Sequence, residues 1–112
     1  MRSYPKTAET RFLKANEAFQ NKNWDESLRI YQQLAAEFPL ITAAPVGVGL
    51  SAAKLEDYPL ALNAFHRVLE LMPNATGVQG ELANAYRKSQ QFDQAEKWTF
   101  RGTNKWSTLY FE

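Results

Sequence analysis

The chain has 112 residues, of which 45% are hydrophobic and 22% are charged. These proportions are typical of one globular domain and exclude a disordered or fibrous protein. Thirteen basic residues oppose twelve acidic ones, so the net charge of +1 provides no broad electrostatic field for nucleic acid or an acidic membrane surface. The chain has no cysteine, which excludes disulfides, thiolate metal sites and thiol catalysis.

The N-terminal residues and the least polar stretch indicate where in the cell the protein is expected. Residues 1–7 are polar and do not lead into the apolar segment of a secretory signal. The least polar stretch, residues 40–53, contains Pro45, Gly47 and Gly49 and is too short to cross a bilayer. We therefore expect a cytoplasmic protein that inserts no segment into a membrane.

Similar residues recur along the chain at a spacing of 34. Pro39 and Pro73 are separated by this distance. The same spacing relates Trp24, Tyr58 and Phe92; Ser27, Ala61 and Ala95; Leu28 and Leu62; Tyr31 and Phe65; and Leu34 and Val68. A constant period of this length predicts a repeat architecture rather than an unrelated helical bundle.

The helices are predicted in chain order from apolar periodicity and stop signals. Each unit begins with a leading helix, and these cover about residues 8–21, 44–55 and 76–89. A trailing helix follows, with apolar residues at every third or fourth position, and in the first two units it ends before Pro39 or Pro73. Asn23 and Asp57 are expected to cap these trailing helices. No strand pattern competes, so we predict an all-α fold.

The pattern resembles that of the tetratricopeptide repeat family, whose 34-residue units each form two helices. The middle unit carries the resemblance best, with Val48-Gly49, Ala61, Phe65 and Pro73 at the family's characteristic positions. In the first unit the turn between the helices is predicted to be one residue short. This prediction rests on the five residues from Phe19 to Trp24, compared with six in each of the later units.

The resemblance implies an α-solenoid of three antiparallel helix pairs that form a right-handed superhelix. The repeats would cover about residues 8–39, 42–73 and 76–106, followed by a tail at 107–112. Residues 1–112 would then form a single domain.

In the tetratricopeptide repeat family the leading helices line a concave surface that commonly holds a peptide or a helix of a partner protein. With the first unit read one residue later because of its short turn, the resemblance implies twelve partner-binding residues. They are Leu13, Lys14, Glu17, Val46, Gly47, Leu50, Lys54, Gly77, Glu81, Asn84, Arg87 and Lys88.

The centre of this surface allows two interpretations. Val46 and Leu50 are either apolar because the central helix is packed on both sides, or they form an exposed strip that accepts a partner's side chains. Glycines at 47, 77 and 80 would leave room for bulky side chains of a ligand, although each lowers helix stability by about 1 kcal/mol.

One subclass of the family binds the C-terminal carboxylate of heat-shock chaperones through basic residues and asparagines. Here the matching residues are Leu13, Glu17, Gly47, Gly77 and Glu81, and none of them is basic. We therefore expect no ligand of the heat-shock carboxylate-clamp class.

No pattern for catalysis or for a cofactor is found. His66 is the only histidine, lacks a catalytic partner in sequence, and is expected to be a surface residue. There is no glycine-rich phosphate loop and no metal-ligand spacing. Arg87 and Lys88 alone do not make the basic stripe that nucleic acid requires. We expect a non-enzymatic protein without a cofactor, a metal or a nucleic-acid partner.

The C-terminal residues are rich in aromatic side chains. Trp98, Trp106, Leu109, Tyr110 and Phe111 either cover the last helix pair or join copies of the chain into a homo-oligomer. Our first functional hypothesis is a protein-interaction module of the adaptor, chaperone or assembly-factor type, with a protein or peptide partner in an apolar groove. The alternative is a self-associating scaffold built from the repeat ends and this tail.

Overall fold

The computed structural model describes residues 6–91 and 94–95. Within them the chain forms five α-helices and no strand: α1 (Lys6–Gln20), α2 (Trp24–Glu37), α3 (Ala43–Lys54), α4 (Tyr58–Leu71) and α5 (Thr76–Lys88). The all-α prediction is confirmed. The predicted leading helices agree with α1, α3 and α5 to within two residues at each end. The third trailing helix and the tail are predictions that fall largely outside the described residues.

Each helix packs against the next one in the chain, from α1 on α2 to α4 on α5. The buried residues form two clusters, one that includes Tyr31 and Leu34 and another that includes Phe65 and Leu82. Leu28 packs against both clusters, so the core is continuous along the stack. Packing of each helix pair only on its neighbours is the architecture of a helical-repeat solenoid.

The trailing helices begin and end largely as predicted. The Asp57 side chain accepts a hydrogen bond from the Leu60 backbone N–H at 3.3 Å, which caps α4. The prediction of a cap at Asn23 is wrong, because this residue precedes α2 without a capping hydrogen bond from its side chain. Both trailing helices end two residues before a proline, whose ring disfavours helical backbone in the residue before it.

The turns that follow the three leading helices share the same backbone geometry over their described residues. One residue in each has a left-handed backbone, and the three are 34 apart: Lys22 (φ 62°), Glu56 (φ 63°) and Gln90 (φ 66°). The N–H of the following residue donates to the carbonyl of Ala18, Ala52 or Tyr86 at 2.8, 2.9 and 2.7 Å. The short first turn is therefore a wrong prediction, because Ala18 rather than Phe19 is equivalent to Ala52.

Small residues, Gly49 among them, allow close helix packing. A Cβ atom built there would lie 2.5 Å from a ring carbon of Phe65, which is fully buried. Ser27 of α2 and Ser51 of α3 are also fully buried, and their hydroxyl oxygens share a hydrogen bond of 2.7 Å. No helix among the described residues is both long enough and apolar enough to span a membrane.

Candidate functional site: the groove of the leading helices

Two adjoining hollows lie between the leading helices. The first, which we call the apolar hollow, lies between α1 and α3 and has a volume of about 390 Å³. It is lined by Phe12, Asn16, Phe19, Tyr31, Ala43, Val46, Gly47 and Leu50. None of these side chains carries a charge at neutral pH, and most are apolar. The hollow is therefore suited to an apolar side chain of a ligand.

The second hollow, which we call the charged hollow, lies between α3 and α5 and has a volume of about 420 Å³. It is lined by Phe19, Leu50, Ala53, Lys54, Tyr58, Glu81, Asn84, Ala85 and Lys88. Phe19 and Leu50 line both hollows, which together form one surface that we call the leading-helix groove.

A third hollow, between α2 and α4, has a volume of about 360 Å³. Pro45 and Val48 of α3 line it, whereas Val46 and Leu50 line the leading-helix groove. Val48 is two residues from each of these, which is about 200° around the helix, so the third hollow lies on the other side of α3.

The apolar hollow is built around Tyr31 of α2, which is only 5% exposed. A Cβ atom at Gly47 would lie under 3.0 Å from its ring. Gly47 is therefore required by the close approach of Tyr31, and the predicted space for a ligand at this position is occupied by the protein's own side chain. Burial raises the pKa of Tyr31, so its hydroxyl stays protonated. This hydroxyl donates a hydrogen bond to Oδ1 of Asn16.

The rim between the two hollows holds an aromatic and cationic cluster. The rings of Phe19 and Trp24 meet edge to face with centroids 4.9 Å apart. The Lys54 ammonium lies 5.4 Å from the centroid of the Trp24 ring, within the range of a cation–π interaction. These contacts hold the end of α3 against the start of α2.

Seven of the twelve predicted partner-binding residues line the leading-helix groove. They are Val46, Gly47, Leu50, Lys54, Glu81, Asn84 and Lys88. Val46 and Leu50 are half-buried, so neither of the two interpretations of the central strip holds alone. Leu50 packs against the core and also lines the surface.

The three predicted residues of the first unit lie outside both hollows. Leu13, Lys14 and Glu17 are exposed, and the shift of one residue that selected them has no counterpart in the turn. Without the shift, Leu13 is the equivalent of Gly47, but it still lines neither hollow. At the constant spacing of 34, the first-unit residues equivalent to Val46, Leu50 and Ala53 are Phe12, Asn16 and Phe19. These three line the groove and were missed.

Lys14 is one of the predicted residues that line neither hollow. The pKa of Glu26 in α2 is lowered mainly by its hydrogen bond from Arg29, and in smaller part by the charge of Lys14. Lys14 is exposed, and its charge is near enough to α2 to act on Glu26. Its equivalent in α3 is Val48, which is buried outside the groove. Leu13 is 67% exposed and is a surface residue of α1.

The two remaining predicted residues, Gly77 and Arg87, are exposed residues of α5. Gly77 is exposed, and a Cβ atom there would meet nothing within 4 Å, so this position is open as expected. Arg87 is exposed and donates from Nη2 to Oδ1 of Asn84 at 3.0 Å. The residues predicted for self-association, Trp98, Trp106, Leu109, Tyr110 and Phe111, lie outside the described residues.

His66 differs from the expected surface residue. It is half-buried in α4, and its Nε2 atom lies 2.8 Å from the hydroxyl oxygen of Tyr86 in α5. Burial lowers the pKa of His66, while the charge of Glu70 opposes this. Within residues 6–91 and 94–95, no group of three or more histidine and acidic residues is arranged to hold a metal ion.

Comparison with known sequences supports the repeat assignment. Two models of the tetratricopeptide repeat match residues 9–40 and 52–105. The RNA polymerase-associated protein CTR9 of Saccharomyces cerevisiae is 31% identical over 83 residues. That segment is 69% of this chain but only 8% of the length of the yeast protein.

Solved structures with the same fold include secretion chaperones and a domain of a yeast protein. The type III secretion translocator chaperone SycD of Yersinia enterocolitica superimposes with a TM-score of 0.84 and 15% identity, over 88% of this chain and 75% of that one. PcrH, in complex with the chaperone binding region of PopB, gives 0.83 and 19%, over 91% and 83%.

The TPR2B domain of yeast Sti1, in a complex with pHsp70, gives a TM-score of 0.82 and 19% identity, over 88% of this chain and 78% of that one. Identities this low establish the fold alone. Together with the two sequence models, the constant period of 34 and the identical turns, they place the described helices in one family. The chain belongs to the tetratricopeptide repeat family.

Proposed function

We propose that this domain is a non-enzymatic protein-interaction module that binds a segment of a partner protein in the leading-helix groove. The observation that carries the proposal is the continuity of the two hollows through Phe19 and Leu50. A continuous surface with apolar lining and a few polar groups is the usual form of a peptide-binding site. The complex of PcrH with a region of PopB and that of Sti1 with pHsp70 lend support, since both involve domains of this fold.

Val46 is the best position at which to test this site. It lines the centre of the apolar hollow and is half-buried, whereas Leu50 also supports the core. Val46→Glu should therefore place a carboxylate in the hollow without removing a core contact. Peptides selected from a displayed random library against the wild-type domain should bind Val46→Glu at least about tenfold more weakly, a loss of roughly 1.4 kcal/mol. Fluorescence anisotropy with labelled peptides measures this difference.

Asn63→Glu is the matched control, because Asn63 is exposed and lines the hollow on the other side of α3. It adds the same charge to the protein and should leave peptide affinity unchanged. Circular dichroism checks that both variants keep their helices. The proposed site would be contradicted if the selected peptides bound Val46→Glu as tightly as the wild type. It would also be contradicted if Asn63→Glu lowered their affinity as much as Val46→Glu does.

The prediction of no heat-shock carboxylate ligand is retained within this proposal. With the register of the first unit corrected, Phe12 and Asn16 replace Leu13 and Glu17 at the matching positions. Asn16 is an asparagine, a residue type that this subclass uses, but its Oδ1 already accepts a hydrogen bond from Tyr31. Neither residue is basic, and Glu81 in the third unit would still repel a terminal carboxylate. We propose a partner that is recognised by side chains along the segment rather than by its C-terminus.

A further inference from the structure

The two halves of the leading-helix groove differ in charge. The apolar hollow has no charged lining residue. The charged hollow has three: Lys54 at the end of α3, Lys88 at the end of α5, and Glu81. These give the charged hollow a formal charge of +1 at neutral pH, so one half of the groove is neutral and the other is positive.

The two lysines of the charged hollow lack a carboxylate partner. In the described part of the chain, neither Lys54 nor Lys88 forms a salt bridge, and neither forms one with Glu81. Three arginines outside the groove are paired with glutamates: Arg11 with Glu37 at 2.7 Å, Arg29 with Glu26 at 2.6 Å and Arg67 with Glu70 at 2.9 Å. The groove therefore contains cations that this chain leaves available.

The arrangement of these lysines repeats with the period of the fold. Lys54 and Lys88 are 34 apart, as are Trp24 and Tyr58. Lys54 rests over the Trp24 ring, and Tyr58 lines the charged hollow together with Lys88. The two lysines thus occupy equivalent positions at the ends of successive leading helices, and both line the charged hollow.

We propose that the partner segment carries an apolar side chain that fills the apolar hollow and, a few residues away, a glutamate or aspartate whose carboxylate lies between Lys54 and Lys88. This inference rests on the proposed function and specifies its ligand. Charge complementarity of this kind adds modest affinity at an exposed site but strong selectivity between acidic and basic partners. It also fixes the direction of the segment, because the two hollows hold different side chains.

The probe is a set of short peptides with acetylated N-termini and amidated C-termini. Each has one phenylalanine or isoleucine as anchor and one Glu, Gln or Lys placed about two to six residues to either side, a range set by the length of an extended chain. In low salt the best Glu peptide should bind about fivefold more tightly than its Gln counterpart and more tightly still than its Lys counterpart. The preference should decrease as salt is added.

Three variants test whether the lysines cause the preference. Lys54→Gln with Lys88→Gln should make the Glu and Gln peptides bind equally, whereas Lys14→Gln, outside the groove, should leave the preference unchanged. Glu81→Gln should increase affinity for the Glu peptide by about twofold, since it removes a like charge from the charged hollow.

The outcomes separate this inference from the proposed function. Anchored peptides that bind and are weakened by Val46→Glu, but show no preference for Glu, overturn the inference and leave the proposed function intact. Binding that requires a free C-terminal carboxylate also overturns it. If no anchored peptide binds, or if Val46→Glu has no effect, the proposed function fails as well.

Discussion

Two equivalent helix contacts in successive units are built from different side chains. We call the contact between α2 and α3 the first joint and the contact between α4 and α5 the second joint. In the first joint the buried Ser27 and Ser51 share a hydrogen bond of 2.7 Å. Their equivalents in the second joint are Ala61 and Ala85, which are buried without a polar group to satisfy. The same backbone arrangement therefore accepts either a polar or an apolar contact.

The joints differ again where they border the groove. Tyr31 packs on Gly47 in the first joint, whereas the equivalent residues in the second joint are Phe65 and Glu81. Because position 47 has no side chain, the tyrosine ring forms part of the lining of the apolar hollow. Position 81 instead contributes a carboxylate to the charged hollow. One position of each joint thus contributes to the chemistry of its half of the groove.

The largest expected effect is that of Gly47→Ala. The added methyl group would lie under 3.0 Å from the buried Tyr31 ring, whose hydroxyl is held by Asn16. Overpacking of this kind costs up to about 3 kcal/mol and exceeds the gain of about 1 kcal/mol that alanine normally gives over glycine in a helix. We expect a net loss of about 2 kcal/mol in the free energy of unfolding, measured by urea denaturation.

Gly80→Ala is the matched control for this comparison. A Cβ atom at Gly80 in α5 meets nothing within 4 Å, so this variant should be stabilised by up to about 1 kcal/mol. Gly47→Ala should also reduce peptide binding by changing the lining of the apolar hollow. If Gly47→Ala is as stable as Gly80→Ala, the first joint is not packed as described.

Ser27→Ala is expected to have the next largest effect. It leaves the Ser51 hydroxyl buried without its partner, and an unsatisfied buried polar group costs about 1 kcal/mol or more. Ser51→Ala should cost less, because the Ser27 hydroxyl also donates to the Trp24 carbonyl oxygen at 3.1 Å. Both values come from urea denaturation of the single variants.

The double variant, Ser27→Ala with Ser51→Ala, tests whether the first joint can adopt the apolar contact of the second joint. Since Ala61 and Ala85 already form an apolar version of this contact, replacing both serines should be less destabilising than the sum of the two single changes. Additive losses would show that the first joint depends on each hydroxyl separately and cannot adopt the chemistry of the second joint.

The repeat period was sufficient to predict the fold. The spacing of Pro39 and Pro73 and of the apolar stripes gave the helix pairs, and the bounds of α3 and α5 differ from the prediction by one residue at most. This works because residues that pack helices against each other must recur at equivalent positions in every unit.

The groove was predicted less well, because its register depended on a single alignment. Aligning Phe19 with Ala52 moved the whole first unit by one residue and replaced Phe12 and Asn16 with Leu13 and Glu17. A shift of one residue rotates a helix face by about 100°, so it exchanges lining residues for solvent-facing ones. The period of 34 was available in the sequence: it relates Trp24 to Tyr58 and Ala18 to Ala52, and would have corrected the register.

Contacts between side chains of different units could not be predicted from the period. Gly47 was interpreted as space for a ligand, but whether that space is empty depends on the approach of Tyr31 from α2. His66 was likewise expected to be a surface residue, although it meets Tyr86 across the second joint. Such contacts depend on how the helices are arranged in space, and a spacing along the chain does not specify that.

The smallest expected effect is a pH dependence confined to the second joint. Burial lowers the folded-state pKa of His66 below its ordinary value of 6.5, and the charge of Glu70 only partly offsets this. The unfolded chain therefore binds a proton first as the pH falls, so the free energy of unfolding should decrease from about pH 6.5 downward until the folded-state pKa is passed. The equivalent residues of the first unit, Gln32 and Ala52, do not titrate.

Urea denaturation of the wild type and of His66→Gln measures the contribution of His66 to this pH dependence. The measurements stay above about pH 5, because Glu26 and Glu37 remain ionised there. The pKa values of these two carboxyl groups lie below the ordinary 4.5. Glutamine is the residue at the equivalent position of the first unit, Gln32, and it retains a hydrogen-bonding group near the Tyr86 hydroxyl. The variant should lose the decrease that the wild type shows between about pH 7 and pH 5. An equal decrease in both proteins would mean that the second joint is no more sensitive to protons than the first, and that the contact between His66 and Tyr86 does not distinguish them.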